Sequence, residues 1–185
     1  MSVKMIRPNP TACADILSYN VPLDHPVYDP LAPYVEGSQV VFGDCYQDVY
    51  KAIAGSSGNQ PDISPLHWVK TGPSNYWALF DDSVSTQTSN PNSIEIEIAL
   101  NKLTNAVALI NVDAAQARFE VWDIDDTKVL DKTVLLRDYG VTNWYDFYFK
   151  EINMEQNYVN LNMPTVLVGR IKVSLIAPGG VARVG

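Results

Sequence analysis

The sequence predicts an all-β protein whose larger part is an antiparallel β-sandwich. The clearest observation is the segment SIEIEIAL, residues 93–100, which alternates without a break between apolar and acidic side chains. Such alternation is typical of a strand that buries one face. Short β-prone runs separated by turns follow it, and no segment of helical length has a clean 3.6-residue period. The predicted inner face of this strand is Ile94, Ile96, Ile98 and Leu100, and the outer face is Glu95 and Glu97.

Residues 1–33 are predicted to form an extended N-terminal arm. Proline forbids a continuous helix there and removes backbone donors that a central strand needs. The prolines are Pro8, Pro10, Pro22, Pro26, Pro30 and Pro33. Apolar residues such as Ile16, Leu17 and Val27 lie between them. We expect an arm of this composition to lie on its own domain or on a neighbouring subunit.

Residues 34–70 are predicted to be a small β unit. Two β-prone runs, Val40–Phe42 and Val49–Ile53, flank a Gly-Asp turn. The polar loop GSSGNQPDISP follows them, and the unit closes near Trp68.

Residues 71–185 are predicted to be the sandwich. ARFEVWDI and KVLDKTVLL are two predicted strands joined by the turn DIDDTK. NWYDFYFKEI alternates and is predicted to be another strand, with Tyr145, Phe147 and Phe149 on one face. TVLVGRIKVSLI is predicted to place Ile171, Val173 and Leu175 inward.

Composition argues against several classes of partner. The chain has 185 residues and a formal net charge of -8, without the clustered cations that nucleic acid or an anionic membrane would attract. No stretch approaches the length of a membrane span, and the N-terminus lacks an apolar signal-peptide core. Cys13 and Cys45 could pair, although nothing in the sequence requires it. We therefore expect synthesis in a cytoplasm, with both cysteines reduced.

No catalytic or metal-binding constellation stands out. Glu95 and Glu97 alternate with isoleucines, and a solvated outer face is a better interpretation than a glycosidase pair. The run DIDDT, residues 123–127, could hold Ca²⁺ but is also ordinary turn sequence, as is Asp81-Asp82. Ser83 and the hydroxyl residues after it have no recognisable base. We therefore predict a protein that is not an enzyme and has neither a metal nor a cofactor.

Aromatic residues are the remaining signal for binding, because tyrosine and tryptophan stack on sugar faces while leaving a polar edge free. The chain has 10 Tyr and 4 Trp. Trp77, Trp122 and Trp144 are predicted to pack in the core or between the sheets. The candidate carbohydrate-binding residues, expected to be partly exposed in a small module with little core, are Tyr46, Tyr50 and Trp68.

Residues 34–70 resemble the small chitin-binding type of carbohydrate-binding module. The matching residues are Tyr34, Gly37, Val40, Tyr50, Ala52, Pro61 and Trp68. That family usually places exposed aromatics in the loop after the second strand, where this chain has Gly-Ser-Ser-Gly at residues 55–58.

Residues 67–181 resemble tail proteins of tailed bacteriophages. The run WVKTGPSNYWALFDDSVSTQT matches at Gly72, Pro73, Asn75, Trp77, Ala78, Phe80, Asp81, Ser85, Thr86, Gln87 and Thr88. NWYDFYFKEI matches through Trp144, Tyr145, Asp146, Phe149 and Glu151. This chain departs from the family in having Tyr76 at a usually basic position. From the residues themselves, we expect the Gly-Pro-Ser-Asn turn to build the fold rather than bind sugar.

The second resemblance implies a jelly-roll sandwich, similar to galactose-binding-like domains, behind the small module. It also implies a structural virion protein of the tail tip, baseplate or fibre attachment, assembled in the bacterial cytoplasm. Its expected partners are other tail proteins, further copies in a symmetric assembly and host surface glycan. The alternative is a carbohydrate-binding adhesin domain without a main scaffold role.

Overall fold

The computed structural model describes residues 9–81, 83, 85–138, 144–149, 153–154 and 156–185. The described residues form an all-β protein with antiparallel sheets, as the sequence predicts. They divide into two compact units. We call residues 21–88 with Gly185 the small unit, and residues 9–20 with 89–184 the large unit. Residues 1–8 of the predicted arm, together with Asp82 and Glu151, lie outside the described residues.

The strands are short except for β7 and β14. In chain order they are β1 (Ile16–Tyr19), β2 (Pro33–Tyr34), β3 (Gln39–Phe42), β4 (Asp48–Ala52), β5 (Ser56–Ser57), β6 (Trp68–Pro73), β7 (Thr88–Leu100), β8 (Val107–Leu109), β9 (Gln116–Asp123), β10 (Lys128–Leu135), β11 (Arg137–Asp138), β12 (Asn153–Met154), β13 (Tyr158–Asn160) and β14 (Gly169–Val184). The helical elements are 3-10 turns at Cys13–Asp15, Asp44–Tyr46 and Ala78–Phe80, and α1 (Trp144–Phe149). No described helix is long and apolar enough to cross a membrane.

The large unit is built on a five-stranded sheet in the order β1-β7-β14-β9-β10. Ile94 and Ile96 of β7 are buried, as their alternation predicts. Antiparallel pairing places Val173 of β14 opposite Phe119 of β9, and both side chains are buried. Phe119 also stacks on Tyr158 of β13, with ring centroids 5.4 Å apart. Tyr158 of β13 therefore packs on the inner face of the larger sheet.

The aromatic segment after residue 143 differs from the prediction, because Trp144–Phe149 is a helix rather than an alternating strand. Trp144, predicted to be a core residue, is 77% exposed. The helix brings together residues four apart, which a strand cannot do. Tyr145 and Phe149 have ring centroids 4.9 Å apart, and Trp144 stacks on Tyr148 at 6.3 Å.

The outer face of the five-stranded sheet is a layer of ion pairs. Glu95 binds Lys172 at 2.8 Å, and Glu97 binds Arg170 at 3.2 Å. These contacts support the interpretation of the Glu95 and Glu97 pair as an outer face. Trp122 lies in the same layer, with the Arg170 guanidinium 4.7 Å from its ring. It is half-buried there rather than part of the apolar core.

The most strongly held carboxylate of this layer is Asp131 on β10. Arg118 donates two hydrogen bonds to it, at 2.9 and 2.7 Å, and Lys128 donates a third at 3.1 Å. The bond from Arg118, followed by that from Lys128, lowers the pKa of Asp131 from 3.8 to about 2. Because the folded-state pKa is the lower one, the stabilisation is present above about pH 4 and is lost as the pH falls towards 2.

We therefore expect the urea midpoint of the wild type to approach that of Asp131→Asn between about pH 4 and 2. The difference between the two urea midpoints at neutral pH is expected to be small, because the side chains of Asp131, Arg118 and Lys128 are all partly open to solvent. Parallel curves for the two proteins over this range would contradict the assignment. Asp125→Asn, which removes an exposed carboxylate from the neighbouring turn, is the control.

The small unit contains the three-stranded antiparallel sheet β3-β4-β6 and the pair β2-β5. Its buried cluster is Val40, Ala52 and Trp68, against which Tyr28, Tyr34 and Tyr50 pack. The two predicted strands correspond to β3 and β4. The predicted division at residue 70 falls inside β6, which pairs with β4 along its length.

The described part of the predicted arm packs on its own chain. β1 pairs with β7, with Tyr19 opposite Ile96. Further along, the Tyr28 amide donates to the Val41 carbonyl at 3.0 Å. Both cysteines are disulfide-bonded, so the expectation that they are reduced is wrong for this structure.

Candidate functional site

The Gly-Pro-Ser-Asn segment, residues 72–75, begins with the last two residues of β6 and leads into a turn, and its contacts are structural, as expected. Ser74 is fully buried, and its hydroxyl donates to the Tyr46 carbonyl at 2.5 Å and accepts from the Trp77 amide at 3.2 Å. Thr88 is also fully buried, and its hydroxyl donates to the Asn75 carbonyl at 2.9 Å and accepts from the Leu79 amide at 2.8 Å. The hydroxyl groups of this segment therefore satisfy buried backbone groups within the small unit.

Trp68 does not have the partial exposure expected of a sugar-stacking residue. It is only 2% exposed, and its indole N–H donates to the Asn59 carbonyl at 2.9 Å. The rings of Tyr34 and Tyr28 lie 5.1 and 5.9 Å from it, edge to face. The expectation was wrong because Trp68 belongs to the core of the small unit, where aromatic rings pack around it beside Val40 and Ala52.

Tyr50 and Tyr46 occupy different surroundings. Tyr50 is half-buried on β4, where it packs on the core cluster, and burial raises the pKa of its hydroxyl. Tyr46 is 41% exposed, and its ring stands perpendicular to Tyr76 at 6.3 Å. Of the three predicted residues, Tyr46 has the exposed ring that a sugar could reach.

Tyr46 lines a cleft of about 500 Å³ in the small unit, a volume within the range of small-molecule sites. The lining residues are Val27, Tyr28, Phe42, Gly43, Asp44, Tyr46, Gln60 and Asp62. They supply three aromatic rings, two carboxylates and one amide. Tyr28 and Phe42 meet at 87° with ring centroids 5.7 Å apart, so two walls of the cleft are mutually perpendicular rings.

The loop that carries Tyr46 has an unusual backbone conformation. Gly43, Cys45 and Tyr46 have φ angles of 109°, 60° and 58°. Residues other than glycine rarely adopt this region of backbone conformation. The Ser74 hydroxyl holds the Tyr46 carbonyl, and the Ser74 amide donates to the Gln47 carbonyl at 2.8 Å. Strained residues held by their surroundings cluster at ligand sites, and this loop fixes the position of the Tyr46 side chain.

The carboxylates and the Tyr28 hydroxyl of the cleft-lining residues make no hydrogen bond or ion pair within the described part of the chain. Asp44 and Asp62 are exposed, and among the described residues neither carboxylate has a hydrogen-bond or ion-pair partner. The Tyr28 hydroxyl is buried and has no hydrogen-bond partner in the described part of the chain. Burial, followed by the neighbouring Tyr34 and Asp29, raises the pKa of this hydroxyl.

An aspartate in each of the two candidate calcium sites predicted from the sequence is hydrogen-bonded to backbone amides of its own turn. Asp123 accepts the amides of Asp125 and Thr127, both at 3.0 Å, so DIDDT is a self-capped turn. Asp81 similarly accepts the Ser83 amide at 2.8 Å. The described residues contain no group of three or more potential metal ligands.

Sequence reasoning found Tyr46 but missed most of its neighbours in the cleft. Tyr28 comes from the predicted arm, and Gln60 and Asp62 come from the polar loop. The sequence feature that could have pointed to Tyr28 is the Tyr-Asp pair at residues 28–29, which places an aromatic ring within a proline-rich stretch. No protein-family model matches the chain, and no curated protein matches it.

Proposed function

We propose that this chain is a structural protein of a tailed-bacteriophage virion, in the tail tip, baseplate or fibre attachment, whose small unit binds host surface glycan. The observation that carries the binding role is the cleft, where the exposed ring of Tyr46, two half-buried rings and exposed polar side chains converge. The virion assignment rests on the resemblance of the segment that ends at Thr88. That segment is held together by its own hydroxyl groups, as a fold-building motif requires.

The proposal includes a jelly-roll arrangement for the large unit. The stacking of Tyr158 on Phe119 supports a second layer on the five-stranded sheet, as a sandwich needs. The disulfide-bonded cysteines suit the exterior of a particle, since virion surfaces are among the places where disulfides persist. In this proposal the protein is made in the bacterial cytoplasm and functions in the virion tail.

Binding without hydrolysis is the proposed chemistry. A glycosidase needs one carboxyl group with a pKa raised by burial to act as the general acid. Asp44 and Asp62 are both exposed, so neither has the environment of such an acid. Exposed carboxylates and rings suit weak, multivalent recognition, in which a symmetric set of copies supplies avidity.

The glycan role is tested with purified protein displayed on beads and mixed with host cells. We expect saturable adsorption that free host surface polysaccharide competes away. Tyr46→Ala is expected to weaken binding by about tenfold, the effect of losing one stacking ring. Tyr145→Ala, which removes an exposed ring from α1, is the matched control and is expected to bind normally. Equal losses in both variants, or no adsorption of the wild type, would contradict the proposal.

The virion role is tested with particles that lack this chain. A structural component is expected to be needed for tail completion, so electron microscopy should show incomplete tails. Complete tails that fail to adsorb would instead favour the alternative, an adhesin without a scaffold role. Its basis is the same cleft, since the small unit is compact by itself.

A further inference from the structure

The cleft is lined by negative charge without any compensating cation. Asp44 and Asp62 are the charged residues among its lining residues, and neither is engaged by a lysine or arginine in the described part of the chain. The surrounding segment has the same sign, since residues 21–88 contain eight Asp and Glu residues and two lysines. One of those lysines, Lys70, is already bound to Asp48 at 2.8 Å. A ligand carrying phosphate, sulfate or carboxylate would be repelled from this site.

The aromatic walls favour the opposite charge. The face of an aromatic ring carries negative electrostatic potential and attracts a cation within about 6 Å of its centre. Tyr46 supplies a ring that is 41% exposed, and Tyr28 and Phe42, which are half-buried and packed on other rings of the small unit, supply the aromatic wall behind it. Aromatic rings combined with carboxylates are the arrangement by which proteins recognise ammonium groups.

We propose that the group recognised in this cleft is an ammonium group on the glycan, that of an amino sugar whose nitrogen is free rather than acetylated. The inference rests on the proposed glycan binding and deepens it by naming the ligand class. Asp44 and Asp62 supply charge for the ammonium group, and the three rings supply its apolar surroundings. Gln60, an exposed amide at the same cleft, can both donate to and accept from sugar hydroxyls.

The test compares two probes that differ in this group alone. One is a β-1,4-linked glucosamine oligomer, and the other is the fully N-acetylated oligomer of the same length. Binding of each to the whole chain is measured by calorimetry at about pH 5, where the free sugar amine carries its positive charge. We expect the free-amine oligomer to bind about tenfold more tightly, and the difference to shrink as salt is added.

Matched variants assign the preference to the cleft. Asp44→Asn combined with Asp62→Asn keeps the side-chain shapes and is expected to remove the preference for the free amine. Glu36→Gln makes the same kind of charge change at an exposed position of the small unit outside the cleft, and is expected to leave the preference intact. Tyr46→Ala is expected to weaken binding of both oligomers.

Each other outcome overturns the inference and is distinct from failure of the proposed function. Equal affinity for the two oligomers, or a preference that survives in the double variant, would show that the ammonium group is not what the cleft recognises. Glycan binding itself would then still stand on the bead experiment. If neither oligomer binds while host polysaccharide does, the ligand class is wrong and the binding role remains. If host polysaccharide also fails to bind, both proposals are wrong.

Discussion

Alanine in place of Trp68 is expected to destabilise the small unit by roughly 3–5 kcal/mol, the range for removing a large buried aromatic side chain. Trp68 is only 2% exposed and fills the centre of an aromatic core, with Tyr34 and Tyr28 packed against its ring. The substitution also removes the indole donor from the Asn59 carbonyl. A small unit has little other apolar area to offset such a loss.

This expectation is checked by urea unfolding followed through the amide NMR signals of residues 21–88. Trp68→Phe, which keeps a ring but loses the N–H donor, is expected to be affected less than alanine. Leu66→Ala changes an 82% exposed side chain two residues away and is expected to shift stability by less than about 0.5 kcal/mol. A midpoint for Trp68→Ala equal to that of Leu66→Ala would show that this ring is not the core of the small unit.

Alanine in place of Phe119 is expected to have a comparable effect on the large unit, again roughly 3–5 kcal/mol. Phe119 is fully buried on β9, which lies between β14 and β10, and its ring stacks on Tyr158. Its removal leaves a cavity between β9 and the ring of Tyr158, because backbone pairing on both sides prevents β9 from closing the gap.

The effect of Phe119→Ala is measured in the same experiment through the amide signals of residues 89–138 and 156–184. Phe119→Leu retains part of the apolar volume and is expected to lose less stability. Thr133→Ala, on the adjacent strand one residue beyond the position opposite Phe119, alters an exposed side chain and serves as the control. If Phe119→Ala unfolded at the control midpoint, the two-layer packing of the large unit would be contradicted.

The regular strands were predictable from local pattern alone. Ile94 and Ile96 are buried as their alternation indicates, while Glu95 and Glu97 are drawn into ion pairs across the outer face. The buried face of a half-buried strand can be predicted from the sequence, because its two faces differ in polarity. In residues 169–176 the predicted inward residues Ile171, Val173 and Leu175 are buried, and Ser174, on the other face, is an exception because it is buried as well.

Aromatic-rich segments were less predictable. The alternating rings after residue 143 fit a strand, yet spacings of four also place Tyr145 beside Phe149 on a helix. Trp68 was expected at the surface because the module is small, whereas a small module uses its largest ring to build a core. The first error arises because the same aromatic residues fit both periods. The second arises because an aromatic side chain can pack in a core as well as stack at a surface.

The cleft could not be deduced from sequence because its walls come from distant segments. Tyr28, Tyr46 and Asp62 are separated by stretches of ordinary loop and strand, and long-range pairing brings them together. The pairing of β4 with β6 likewise carries the small unit past residue 70. Local sequence pattern does not show such contacts, so Tyr46 alone was found, because a small module with little core was expected to leave some of its aromatic residues partly exposed.

The most direct test of glycan binding at the cleft is NMR mapping of the isotopically labelled chain with fragments of host surface polysaccharide. The largest amide shift changes are predicted at residues 42–46 and 60–62, with further changes at residues 27 and 28. These changes should disappear in Tyr46→Ala. Saturable changes confined to α1 or to the outer face of the five-stranded sheet, with the cleft unaffected, would contradict the assignment of the binding site.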